Sequence, residues 1–280
     1  MRYNTHMRSV HHRHGHHPHH LFISYPVAFH EKLYSLVLRP LLIVALIAAA
    51  ITFYPIVHPT GEMVSLQTLL LAALVTCVRL TVAYILAALV AIPLSLFVTS
   101  TPKVEAIFLP IFDVLESIPI LVLFPVFIML FVRAGYLNGA AIAILFITML
   151  WSMVFTVVGG IKIIPKDIIY AGRIFGLKGW TLIRRVILPG VVPQFVTGSI
   201  LSLAAGWNII IVAEVLHTYI PGGSSAQDLF GIGAILVSAS ANAQNGIFLM
   251  AVIIMVVIIA LFNFFVWQKL LHYSQRFRFD

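Results

Sequence analysis

Six apolar runs set the plan of this chain: Leu41 to Val57, Thr68 to Val98, Ile107 to Val132, Ala140 to Val158, Val191 to Leu216 and Ile247 to Leu271. Each approaches the roughly 20 residues that a helix needs to cross a bilayer core about 30 Å thick. The pattern predicts an all-α integral membrane protein of about six transmembrane helices. The second run is long for a perpendicular span, so it tilts or lays its first turns on the membrane surface. Pro93, Pro110, Pro119 and Pro125 predict kinks in the second and third spans, tolerated where neighbouring helices satisfy the freed carbonyls. Such kinks suit a helix lining a cavity.

Composition excludes a soluble domain. Of 280 residues, 61% are hydrophobic and 9% charged, against roughly 45–50% and about 25% in soluble proteins. The net charge of +8 would raise the question of nucleic acid elsewhere, but the basic residues lack the interleaved aromatics such binding uses. Topology accounts for them instead, because lysine and arginine stay on the cytoplasmic side. Arg2, Arg8, Arg13, Lys32 and Arg39 precede the first span, and Lys103 follows the second. Lys162, Lys166, Arg173, Lys178, Arg184 and Arg185 follow the fourth, and Lys269, Arg276 and Arg278 close the chain. The alternate loops hold only Arg133, at a span edge, and His217 to Gly246 has neither residue type. Both termini and the central loop are expected in the cytoplasm, in the inner membrane of a bacterium.

The single cysteine, Cys77, sits in an apolar run and forms neither an intrachain disulfide nor a metal cluster. Residues 1–35 form a tail rich in histidine from His11 to His20, whose low complexity cannot bury a core. It is expected to be disordered, without the fixed geometry of a metal site and without the form of a cleaved signal segment. Residues 36–280 are expected to form one transmembrane domain, with a central loop over 159–190.

In that loop Pro165 can start a helix, Asp167 places a carboxylate in its first turn, and Gly176 stops it. Ile168, Ile169, Ala171, Ile174 and Phe175 then give a largely apolar face on a short helix. Taken alone, such a helix could lie on lipid headgroups. Glycine, nine residues, a branched residue, one more and then Leu-Pro occurs here as Gly176, Val186 and Leu188-Pro189, with Ala171 and Gly172 at two small positions. This spacing resembles the EAA motif of binding-protein-dependent ABC importer permeases. Tyr170 replaces the glutamate that names the motif, which removes the carboxylate but leaves the apolar docking face.

From about Leu66 to Leu271 the chain looks most like the nitrate, sulfonate, taurine and bicarbonate branch of the type I importers. Arg79 to Pro93, Ile118-Pro119 through Phe124-Pro125, Trp151, Gly206 to Glu214, Pro221-Gly222-Gly223 and Gly231-Ile232-Gly233 carry the likeness. The resemblance implies a type I permease fold in which Pro165, Asp167, Tyr170, Ala171, Gly172, Arg173, Ile174, Phe175, Gly176, Leu188 and Pro189 meet a cytoplasmic ATPase. It also implies a second permease, identical or homologous, and an extracytoplasmic solute-binding protein. No phosphate-binding loop or ATPase signature is present, so ATP and magnesium belong to the partner, no cofactor is expected on this chain, and the chain is not itself an enzyme.

Ionisable groups inside spans are costly and are the first candidates for a solute path. Arg79, Asp113, Glu116 and Glu214 qualify, with Asn208 beside them. Arg79 could draw an anion or pair with an acid. Asp113 and Glu116 share a helix face and are expected to pair structurally with Arg79 or a neighbouring helix. Asn208 and Glu214, six apart, point in different directions and serve as struts between helices, while Gly198, Ser199, Ser202 and Gly206 permit close packing. An ion-coupled secondary transporter is the alternative, though it should show two repeated halves, and a membrane enzyme would need a catalytic constellation that is not found.

Overall fold

The structure is a computed structural model that describes residues 65–133, 136–220 and 222–277. The histidine-rich tail and the predicted span Leu41 to Val57 lie outside the described residues. Eight helices follow: α1 (Leu66–Val98), α2 (Pro102–Ser117), α3 (Ile120–Arg133), α4 (Leu137–Ile163), α5 (Lys166–Ile174), α6 (Gly179–Glu214), α7 (Ile232–Ala241) and α8 (Asn245–Phe277). There is no strand among the described residues. Helices α1, α4, α6 and α8 are each long and apolar enough to cross a membrane, and α2 with α3 would make a fifth span if the bent pair is counted as one.

Helix α4 is the axis of the bundle. Ile144, Leu145, Met149, Met153 and Val154 are wholly buried along it, packed between α1 and α6. Thr156 and Gly198 face each other, as do Gly160 and Gln194, and the Ser202 hydroxyl donates to the Met149 carbonyl at 2.9 Å. Residue numbers that rise on α4 and fall on α6 make the two antiparallel. Ser95 reaches the Val154 carbonyl and Arg79 reaches Asn138, so α1 and α4 run parallel. Close approach depends on missing side chains: a methyl group on Gly206 would overlap Met149 and Leu80. Away from this contact α1, α2 and α3 show many apolar side chains on the surface, with Leu70, Leu74, Val78, Leu89, Val114, Val122, Val126 and Leu130 all exposed, as lipid-facing side chains are.

Three elements differ from the sequence expectation. The third run is broken more sharply than a kink, since α2 and α3 meet at 84°. Pro119 drives Ile118 into extended backbone at φ −70° and ψ 119°, as the ring of a following proline requires. The helix that carries the fifth run does not begin at Val191 but at Gly179, in the hairpin, and runs 36 residues. Pro189 would ordinarily break such a helix by removing a donor and crowding the carbonyl four residues back. A π turn over Ile183–Ile187 precedes it, and this widening accommodates the ring. Finally, the segment between the last two long helices is more than a loop, because it contains α7, an apolar ten-residue helix packed on α1, α6 and α8.

Candidate functional site

Two places concentrate unusual side chains. The first is the hairpin formed by α5 and the start of α6. Pro165 sits one residue before the helix, in the cap position, and Asp167 lies in the first turn, where a carboxylate suits the helix dipole. The end is a Schellman turn: Gly176 has φ +80°, its N–H donates to the Arg173 carbonyl at 3.0 Å, and the Leu177 N–H donates to the Gly172 carbonyl at 3.0 Å. Gly172 is buried, and an added Cβ would stand 2.9 Å from Leu182 Cδ1 and 3.4 Å from Val186 Cγ2. That contact closes the hairpin and explains the small residue.

The expected single apolar face divides in two. Ile168, Ile169 and Gly172 turn toward the bundle, whereas Tyr170, Ala171, Ile174 and Phe175 turn outward. Ile174 is 83% and Phe175 84% exposed, with Trp180 at 67% beside them. Asp167 and Arg173 are exposed on the same helix, and Leu188 and Pro189 are half-buried in α6. At the same end of the bundle Lys162 pairs with Glu105 at 2.5 Å, on the surface.

The second place lies at the opposite end of α6. Glu214 is fully buried, and four groups donate to its carboxylate or complete its surroundings. The Oε1 atom accepts from the Arg79 guanidinium and from the Thr76 hydroxyl at 2.7 Å. The Oε2 atom accepts from the Gly233 N–H at 2.8 Å. Thr76 in turn accepts from the Ile232 N–H at 3.0 Å. Two of the donors in the first turn of α7, the N–H groups of Ile232 and Gly233, are thus satisfied by side chains from α1 and α6, a capping arrangement supplied from a distance.

Arg79, only 5% exposed, extends its other nitrogen to Asn138 Oδ1 at 3.0 Å and to the Phe230 carbonyl at 3.5 Å. A methyl group on Gly231 would overlap the Glu214 carboxylate, and one on Gly233 would stand 2.9 Å from Oε2 and from the Ile211 Cα. Those two glycines make room for a charge. The adjoining loop is tied down by Asp228, which accepts from the His217 N–H at 3.0 Å and lies 2.8 Å from its ring Nδ1.

The ion pair corrects one expectation. Arg79 pairs with Glu214, not with Asp113 or Glu116, which are exposed on α2. Asn208 is also exposed and lies outside the cluster, as its six-residue offset from Glu214 requires. Sequence reasoning missed Thr76, Asn138 and the His217–Asp228 contact, since nothing local marks a partner that is 138 positions away. The signal for the cluster was Gly231-Ile232-Gly233, glycines crowded where no tight turn is needed. Among the described residues no cluster of histidine, cysteine and carboxylate could hold a metal ion.

Long apolar helices packed around α4, with a buried ion pair at one end and an exposed apolar hairpin at the other, define a helical membrane protein. Comparison with known families makes this specific. The model of the binding-protein-dependent transport system inner membrane component matches residues 91–271, more than half of the chain, and the chain belongs to that family. Among curated proteins, the nitrate import permease protein NrtB of Leptolyngbya laminosa is 28% identical over 156 residues, 56% of this chain and 55% of its own length. The bicarbonate transport system permease protein CmpB of Synechocystis is 28% identical over 144 residues, 51% of this chain and 50% of its own. The glycine betaine/proline betaine permease protein ProW of Escherichia coli is 25% identical over 182 residues, 65% of this chain and 50% of its own. The chain therefore spans about half the length of the relatives it matches. The fold is that of the permease in the inward-facing MetNI methionine ABC transporter, with a TM-score of 0.62 at 19% identity over 76% of this chain and 99% of the other.

Proposed function

We propose that the chain forms the translocation path of an ATP-driven importer for a small anion such as nitrate, bicarbonate or a sulfonate. In this reading α5 docks into a groove of a cytoplasmic ATPase, which binds and hydrolyses ATP with magnesium. Two permease subunits, alike or homologous, face each other, and an extracytoplasmic binding protein delivers the solute. The ATPase drives alternation by stabilising one of two states differentially. Both termini and the hairpin are cytoplasmic, and the loop carrying Asp228 is external.

One observation carries the reading: Ile174 and Phe175 stand almost fully exposed on a helix bordered by Lys166, Arg173 and Lys178. Exposed apolar groups held by a fixed turn fit a partner groove better than solvent. The names of the nitrate and bicarbonate relatives support the anion class. Asp113 and Glu116 carry the wrong sign to hold an anion, and Arg79 is committed to Glu214. Of the five path candidates, Asn208, uncharged and exposed, is left to contact the solute.

The test is the ATPase retained on purified permease, with substrate-stimulated ATP hydrolysis. Burying Phe175 in a partner is worth about 1.5–3 kcal/mol, so Phe175→Asp should release the ATPase. Gly176→Val places a branched side chain at positive φ, a conformation that costs about 1–2 kcal/mol for residues with a Cβ, and should uncouple hydrolysis from transport. Full retention and stimulation in both variants would remove the coupling assignment.

A further inference from the structure

The groove between α6 and α8 contains two cavities in line. Near the hairpin is a recess of about 350 Å³ lined by Ile168, Arg185, Val186, Pro189, Arg276 and Phe277. Further along lies a cavity of about 480 Å³ between α1, α6 and α8, whose walls, Phe195, Leu203, Trp207, Ile259 and Trp267 among them, are almost wholly apolar. The same helix rows build both. Pro189, Val192, Val196, Ser199 and Leu203 ascend one face of α6, while Phe277, Tyr273, Leu270 and Val266 ascend one face of α8, spaced by three and four as neighbours on one helix side must be. Tyr273 marks the junction: its ring lies 5.6 Å from that of Phe277, and the Arg276 guanidinium sits 5.7 Å from its centre.

We propose that this groove seats one anionic phospholipid, with its phosphodiester between Arg185 and Arg276 and an acyl chain in the apolar cavity. A guanidinium presents a planar fork of donors that matches phosphate oxygens. Neither arginine pairs with a carboxylate among the described residues, and basic recesses between membrane helices suit lipid headgroups. The second cavity determines the rest of the ligand. Its polar groups are few and mostly engaged: Tyr84 donates to Ser199 at 2.8 Å, Thr81 donates to the Cys77 carbonyl at 2.7 Å, and Asn263 is the remaining amide in the wall, so a hydrated anion finds no cation there, whereas a hydrocarbon chain matches the apolar remainder. A lipid so placed ties the base of the hairpin to the C-terminal helix. The inference depends on the chain lying in a membrane and not on ATPase docking.

Trp207 and Trp267 line the cavity, so lipids brominated on the acyl chain report occupancy by contact quenching. The full-length chain, with any subunits that co-purify, is placed in nanodiscs containing brominated phosphatidylglycerol or brominated phosphatidylcholine. The expected result is quenching by phosphatidylglycerol at a several-fold lower mole fraction, lost when Arg185→Gln and Arg276→Gln are combined and partly kept with lysine at both positions. Trp207→Phe with Trp267→Phe, which leaves both arginines in place, should remove the lipid-specific signal. Equal quenching by the two lipids in the unaltered protein overturns the proposal, and so does an unchanged preference in either double variant. No quenching by either lipid means that protein fills the cavity. Abolition of the preference by inorganic phosphate means that the arginines hold a free anion.

Discussion

Removing Arg79 leaves Glu214 fully buried with a charge that no other cation neutralises among the described residues. Breaking one side of a buried ion pair typically costs about 3–5 kcal/mol, because the stranded partner keeps its desolvation penalty. Arg79→Met should lose that amount, equivalent to a fall in melting midpoint on the order of 10 °C for a domain of this size. Glu214→Gln should be nearly as damaging. Both carboxylate oxygens accept, Oε1 from Arg79 and Thr76 and Oε2 from Gly233, so either orientation of the amide sets an NH2 group against a donor. The double variant is the decisive member of the cycle. With Arg79→Met present, Glu214→Gln removes the stranded charge, so the loss in the double variant should fall short of the sum of the two single losses by at least about 1 kcal/mol.

The assay is retention of the monodisperse peak in detergent chromatography after heating, for wild type, both single variants and the double. Arg79→Lys should be intermediate, keeping a charge near Glu214 but losing the fork that also spans Asn138 and the Phe230 carbonyl. Additive losses, or single variants as stable as wild type, would show that the pair does not hold α6, α1 and α7 together.

Three further outcomes are expected. Gly206→Leu should destabilise the chain more than Gly159→Leu, because a side chain at Gly206 overlaps Met149 and Leu80 while Gly159 faces open space; the same heating assay ranks them. Asp228→Asn should cost about 1 kcal/mol through the loosened contact with His217, read as faster proteolysis between residues 217 and 228. A cysteine introduced at Asp228, in a background lacking Cys77, should react with an impermeant reagent in intact cells, whereas one at Lys178 should not. The reverse pattern would invert the proposed topology.

Hydropathy placed α1, α4, α6 and α8 because lipid-facing helices must be apolar on nearly every side, a signal that no tertiary contact has to supply. Pro165, Asp167 and Gly176 marked the ends of α5 for an equally local reason, since caps and positive φ are properties of a few adjacent residues. What failed was non-local or short. Pro119 announced a disturbance but not its 84° angle, which depends on what α2 and α3 pack against. Helix α7 has ten residues, too few to register as a span, and without lysine or arginine it read as a loop. The outward turn of Ile174 and Phe175, against the inward turn of Ile168 and Ile169, follows from how the hairpin closes on Leu182 and Val186. The partner of Arg79 is 135 positions away, and charge alone did not distinguish Glu214 from Asp113.

The continuity of α6 has a mechanical consequence. Gly179, where the exposed hairpin turns back, and Glu214, whose carboxylate caps α7, belong to one 36-residue helix, about 54 Å of unbroken rod at 1.5 Å per residue. A helix of that length acts as a pushrod: a tilt of about 5° at one end displaces the other by about 5 Å, more than the range of any hydrogen bond in the cap. Rocking of the hairpin would therefore either pull Glu214 away from Thr76, Arg79 and Gly233 or carry α7 with it. The π turn before Pro189 and the ring of Pro193 interrupt the regular ladder of hydrogen bonds, both near the hairpin end. The ion pair and the exposed hairpin thus lie at the two ends of one helix.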